Sequence, residues 1–171
     1  MKKYLFLDFD GVLNTKLHCH SLQKNNEHST DEFGAIFDPI AIQNLKQIIE
    51  QTDAKIVISS SWKEYGRDFI HELWGKRNMP GKIYSITPSL IITNYIDHNT
   101  NESFSIPERY SKGLEINAWL NTYATNDDIY CIIDDENYFL PYQLEHLVQV
   151  DEEFGLTCKH ASLIIEKLNR V

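Results

Sequence analysis

The sequence predicts an α/β fold with parallel strands, and three observations carry that prediction. An apolar run at residues 4–7 leads into Asp8 and Asp10. A helix with one apolar face separates it from a second, β-branched run at 55–59. A third run, at 129–133, ends again in paired acids, Asp134 and Asp135. Strand, crossover helix, strand is the order that parallel pairing requires. Ligands of open parallel sheets sit beyond the C-terminal ends of the strands, so both acid pairs are expected at one edge.

The elements follow in chain order. Tyr4, Leu5, Phe6 and Leu7 read as a buried strand that carries the chain to Gly11. Residues 12–37 show no clean period and are rich in His, Asn, Ser and Thr, so a long loop or small flap over the site entrance is expected. His18, Cys19, His20 and His28 fall in it at a spacing unlike structural zinc sites and are expected to face solvent. Asp38 is a good N-cap and Pro39 suits the first helical position; Ile42, Leu45, Ile48 and Ile49 then mark a helix ending near residue 51. Beyond the strand at 55–59, Phe69, Ile70, Leu73 and Trp74 mark a helix over 66–77, and 82–86 form a short strand. Residues 87–106 are the least legible; Leu90, Ile91, Ile92 and Ile96 either pack over the body or contribute to a partner surface. Leu114, Ile116, Trp119 and Leu120 define a helix starting near Lys112, and strand 129–134 comes next. Pro141 breaks a turn at 138–142, and residues 147–150 form an edge strand. Ala161, Leu163, Ile164, Ile165 and Leu168 line a closing helix over 158–168, with Cys158 and His160 in surface or capping roles at its start.

Composition narrows the function classes. A length of 171 residues suits one domain, 1–171, with a sizeable core, and 42% apolar content is that of a soluble globular protein. No stretch nears the roughly 20 apolar residues of a membrane span, and the short apolar run after Lys3 suits neither a signal peptide nor a lipid anchor. Cys19, Cys131 and Cys158 form no CxxC pair, which points to a reducing, cytoplasmic setting with no obligate protein partner evident. A net charge of −9 disfavours broad nucleic-acid binding. The charge is uneven: residues 55–82 hold six Lys/Arg, Lys63 among them, against three acids. That stretch is either a basic rim over a phosphate site or an ordinary solvated surface.

The chemistry begins at the acids. Asp8 and Asp10 are two apart on a strand end and project to the same side. Like charges that close require a cation or a proton between them, and hard carboxylate oxygens suit Mg²⁺. If Asp134 and Asp135 join them, the cluster holds up to four acids and is destabilising without a cation and without Lys112. Lys112 opens a helix, where a positive charge opposes the dipole, so neutralising Asp8 and a bound phosphate gives it a reason; Arg109 is the alternative. Ser59 or Ser60, ending the second strand, would face the same crevice and donate to a phosphoryl oxygen. Trp62 is either a surface on which substrate stacks or a lid on the core.

With these residues in place the chain resembles the haloacid-dehalogenase-like (HAD) superfamily of aspartyl phosphotransferases over almost its whole length. The matching segments are DFDGVLN from Asp8 to Asn14, IVISSSW with Ser59 as the strand-terminal serine, the basic residue Lys112, and IIDD ending at Asp135. Taken in order the four are highly specific. The resemblance implies a single Rossmannoid domain: a five-stranded parallel sheet with helices on both faces, a minimal cap or none, and Mg²⁺ as cofactor. It implies Asp8 as nucleophile, Asp10 as proton carrier, and Ser59 with Lys112 on the phosphoryl oxygens. Ser60, Trp62, Lys63, Arg109 and Gly11 are then candidate substrate contacts. Mg²⁺ would rest on Asp8, Asp134 and the backbone carbonyl of Asp10, with Asp135 either a further ligand or the acid that orients Lys112. SSSW, KGLEINAWL, IIDDE and the late GLT at Gly155 to Thr157 are similar to small HAD proteins allied to the phosphatase domains of bacterial RNA-repair enzymes. Those usually carry arginine where this chain has Lys112.

The expected activity is thus Mg²⁺-dependent hydrolysis of a phosphomonoester through an aspartyl-phosphate, on a phosphorylated small molecule or a nucleic-acid 3′ end. Processing of polynucleotide 3′ ends and a catalytically silent binding module are the alternatives. No G-x-x-x-x-G-K-[ST] motif of a kinase partner domain is present.

Overall fold

The computed structural model of the protein describes residues 1–90 and 111–170, and the backbone alone of 95–96 and 103–104. Its first half runs β1 (Lys3–Leu7), α1 (Lys16–Lys24), the short strands β2 (Thr30–Asp31) and β3 (Gly34–Ala35), α2 (Pro39–Thr52), β4 (Lys55–Ile58) and α3 (Arg67–Lys76). The second half runs β5 (Ile83–Ile86), β6 (Tyr95–Ile96), β7 (Ser103–Phe104), α4 (Ser111–Tyr123), β8 (Ile129–Asp134), β9 (Leu147–Gln149) and α5 (Cys158–Asn169). Five of these strands form one sheet in the order β5-β4-β1-β8-β9, and every pairing in it is parallel.

The period of two along β1 decides which helix lies on which face. Leu5, Leu7 and Phe9 join Ile56, Ile58, Cys131 and Ile133 in one core, closed by Leu45 and Ile48 of α2, Leu73 of α3 and Ile164 of α5. Tyr4 and Phe6 join Val57 and Ile132 on the other face, under Ile116 and Trp119 of α4. Both edges of Trp119's environment are aromatic: Tyr4 and Phe6 meet its ring at 4.9 and 5.3 Å in edge-on geometry. By the same alternation Asp8 and Asp134 continue the Tyr4 and Ile132 rows, toward the face that α4 covers.

Two expectations are corrected here. The strand begun at Tyr4 stops at Leu7, because Phe9 turns the chain: its carbonyl accepts from the amides of Val12, Leu13 and Asn14. The stretch read as a long loop or small flap is not irregular throughout: it contains α1 and the β2–β3 hairpin. Helix α1 buries none of its residues, so no apolar stripe marks it in the sequence. It is started by Thr15, whose hydroxyl accepts from the His18 amide, and tied down where the amides of Lys16 and Leu17 donate to the carbonyls of Glu152 and Glu153. The hairpin is held to α3's end by Arg77, which pairs with Asp31 at 2.6 Å. Of the apolar residues expected over the body, Ile91 and Ile92 lie outside the described residues, and Ile96 is described in backbone only.

Candidate active site

Three carboxylates converge at the C-terminal edge of the sheet. One oxygen each from Asp8, Asp134 and Asp135 lie within 4.8 Å of one another, the one such group of His, Cys, Asp or Glu among the described residues. Asp8 and Asp134 are buried, at 4% and 0% exposure. Lys112, on the first turn of α4, donates to Asp8 Oδ2 and Asp134 Oδ2, each at 2.7 Å. The remaining oxygens are held by backbone: the Phe9 amide donates to Asp8 Oδ1 at 2.7 Å, and the Glu136 amide to Asp134 Oδ1 at 3.0 Å.

The electrostatics follow from burial and sign. Burial pushes the Asp134 carboxyl up to about 7, Asp8's negative charge adds to this, and Lys112 opposes it. Burial and then Asp8 also raise Asp135. For Lys112 burial works against the charged form, but the facing carboxylates of Asp8 and then Asp134 outweigh it and hold the ammonium above the usual lysine range. One cation thus serves two buried anions with a third alongside. Three carboxylates facing a single ammonium leave the cluster two positive charges short, and their hard oxygen donors fit a small divalent ion such as Mg²⁺.

Close approach of the second acid pair is made possible at Gly11. Its φ is +66°, and an added Cβ would lie 2.6 Å from Asp135 Cγ, so a side chain there would displace the carboxylate. Gly113 does the same for α4: a Cβ would fall 3.1 Å from the Leu140 amide nitrogen. Buried Gln143 locks that contact by donating to the Gly113 carbonyl and accepting from the Leu140 amide. The helix start that carries Lys112 is therefore clamped from below.

The serines separate. Ser60 caps the 3₁₀ turn Ser61–Tyr65, its hydroxyl accepting from the Trp62 amide at 3.4 Å. Ser59, whose amide continues the ladder to the Leu7 carbonyl, has a buried hydroxyl with no partner among the described residues. An orphaned buried hydroxyl at a strand end is an unused donor for a ligand.

The other candidates take different places. The Asp10 carboxylate stands outside the three-acid group; Asn14 Nδ2 donates to its Oδ1 at 2.7 Å and Trp62 Nε1 to its Oδ2 at 2.8 Å. With Gly11, Asn14, Lys16, Cys19 and Ser29 it lines a groove of about 240 Å³ beneath α1. Trp62 is a core residue, 9% exposed, and not a surface for stacking. Lys63 is no part of a solvated rim: its ammonium is buried against Glu115 and donates to Thr87 Oγ1 at 3.0 Å and to the Pro88 carbonyl. Arg109 lies outside the described residues. The cysteines are all free, and His160 caps α5 beside Thr157. Sequence reasoning assigned no role to Asn14, Glu115 or Gln143; only Glu115 left a signal, three residues after Lys112 on the same helix face.

A parallel sheet whose central strands end in clustered aspartates bridged by a lysine defines a HAD-type domain. The chain belongs to the family described as the HAD domain in Swiss Army Knife RNA repair proteins, whose match covers residues 4–161. A comparison with curated proteins finds no match. Among the described residues no helix is long and apolar enough to cross a membrane.

Proposed function

We propose that the chain is a phosphomonoester hydrolase working through a covalent aspartyl-phosphate on Asp8. The observation that carries this reading is the Lys112 ammonium, 2.7 Å from both Asp8 and Asp134, in a buried cluster that is still short of positive charge. An Asp8 oxygen forms a bond to phosphorus as the ester P–O bond breaks, and Asp10 gives its proton to the leaving oxygen. Asp10, now a carboxylate, takes a proton from the water that attacks phosphorus, which frees Asp8 and releases inorganic phosphate. Lys112 and the Ser59 hydroxyl hold the non-bridging oxygens. Asp8, Asp134 and Asp135, with the Asp10 carbonyl, would hold Mg²⁺, which supplies charge neutralisation at the phosphoryl group when bound.

The family's setting in RNA repair proteins supports a second, narrower reading, a polynucleotide 3′-phosphatase. One assay separates them: p-nitrophenyl phosphate, sugar phosphates, nucleotides and 3′-phosphorylated RNA and DNA oligonucleotides, with and without chelator. Asp8→Asn is expected to lower turnover by at least about 10³-fold, as loss of a covalent nucleophile does. Full activity in that variant overturns the mechanism. Oligonucleotides no better than sugar phosphates remove the narrower reading, and tight phosphate binding without turnover of any ester points to a silent binding module.

A further inference from the structure

The chain has three tryptophans, and each buried indole N–H needs an acceptor. Trp74 donates to the Gly81 carbonyl at 3.3 Å and Trp119 to Ser85 Oγ at 2.8 Å, both purely structural partners. Trp62 alone spends its N–H on a side chain of the site, Asp10 Oδ2, at 2.8 Å.

The two ends of that bond differ in freedom. Asp10 is exposed, in a turn just past the end of β1, where a carboxylate would otherwise rotate. Trp62 is fixed on several sides. Phe9 meets its ring edge-on at 5.7 Å, Phe37 lies at 5.8 Å, and the Arg77 guanidinium sits 5.8 Å from the ring centroid. Gly34 of the β2–β3 hairpin packs so closely that a Cβ there would fall 3.2 Å from the ring. Ser60 caps the turn that carries the indole. The donor is packed on several sides and the acceptor is exposed, so the hydrogen bond fixes one edge of the carboxylate. Asn14 holds the second oxygen.

We infer that Trp62 is a positioning residue: its indole N–H aims the Asp10 carboxyl at the leaving oxygen of the substrate. This rests on the proposed role of Asp10 as proton donor. In the step concerned, the Asp8 O–P bond forms, the ester P–O bond breaks, and the Asp10 proton passes to the departing oxygen.

Leaving-group dependence isolates that proton. A p-nitrophenolate departs without protonation, whereas a simple alkoxide needs it. The parameter to read is kcat/KM, which ends at the first irreversible step, departure of the alcohol, and so excludes Asp10's later work on water. In Trp62→Phe, kcat/KM for an alkyl phosphate is expected to fall about tenfold or more beyond any fall for p-nitrophenyl phosphate, a fraction of the roughly 10²–10⁴-fold that general acid catalysis supplies. The ratio of the two does not depend on how much of the variant is folded. Should Trp62→Phe fail to fold, benzothienylalanine at position 62 keeps the bicyclic shape and removes only the N–H, and the same fall in the ratio is expected. In an Asp10→Asn background the substitution should move the ratio no further. A wild type active on both esters with an unchanged ratio in the variant overturns the role of Trp62 alone. A wild type active on neither of these esters nor on any phosphomonoester of the panel above overturns the phosphatase reading and this inference together.

Discussion

Two lysines stand beside α4, and their surroundings teach different lessons. Among the described residues Lys63 pairs with Glu115 alone, at 5% and 9% side-chain exposure, and its remaining protons go to Thr87 and the Pro88 carbonyl. Among the described residues charge there is balanced one to one, and all three ammonium protons have acceptors. Lys112 is 20% exposed and faces two carboxylates with a third nearby. Charge there is unbalanced, and that deficit is what a cation or a proton relieves. Glu115 and Lys112 share one face of α4, so the closed pair also anchors the helix that presents the open one.

The largest effect expected from breaking this contrast is on stability at the closed pair. Lys63→Met leaves Glu115 buried and unpaired and should lower unfolding free energy by about 3–5 kcal/mol, whereas Lys63→Met with Glu115→Leu should recover most of it. Urea unfolding of both variants reads this, and equal losses in single and double would show that the pair is not a unit. At the open pair, Lys112→Met should reduce kcat by about 10²–10³-fold, the usual loss of one preorganised charge contact to a reacting group. Steady-state rates against wild type decide it, and a change in KM alone would remove Lys112 from the transition state.

The smallest effect concerns Asp134 in chelator-treated protein. Its carboxyl is held at about 7 in the fold against an ordinary value of 3.8, chiefly by burial. The folded form therefore binds that proton more tightly than the unfolded chain does. The stabilising contribution is full below the ordinary value and is lost as pH rises through about 7. Asp134→Asn should accordingly melt several degrees higher than wild type at pH 8, with the gap closing toward pH 5, while the proposed phosphatase activity is lost. Thermal melts at the two pH values test the sign, and a variant less stable than wild type at pH 8 would reverse it.

Much of this was legible in the chain. Strand β8 and helices α2 and α5 announced themselves because each buries a regular apolar pattern. Helix α1 did not: Lys16–Lys24 buries nothing, and its stability comes from a cap and from distant carbonyls. Among site residues the strand-end acids and Lys112 stood out by position. Residue pattern alone left Ser59 and Ser60 open and only the family resemblance favoured Ser59, since the choice turns on which hydroxyl caps the next turn. Lys63 looked like surface because its partner lies 52 residues away. Trp62's hold on Asp10 was hidden for the same reason, at the same separation.

What the sequence determined alone was periodic and local: the parallel order of elements, the ending of two strands in acid pairs, and the Asp38–Pro39 start of α2. These depend on neighbours a few residues apart, whose geometry is set by the backbone. Only the tertiary structure decided which buried charges meet. Desolvation and pairing act through space over a few ångströms, and residues far apart in the chain come that close only once the sheet has brought its strand ends to one edge.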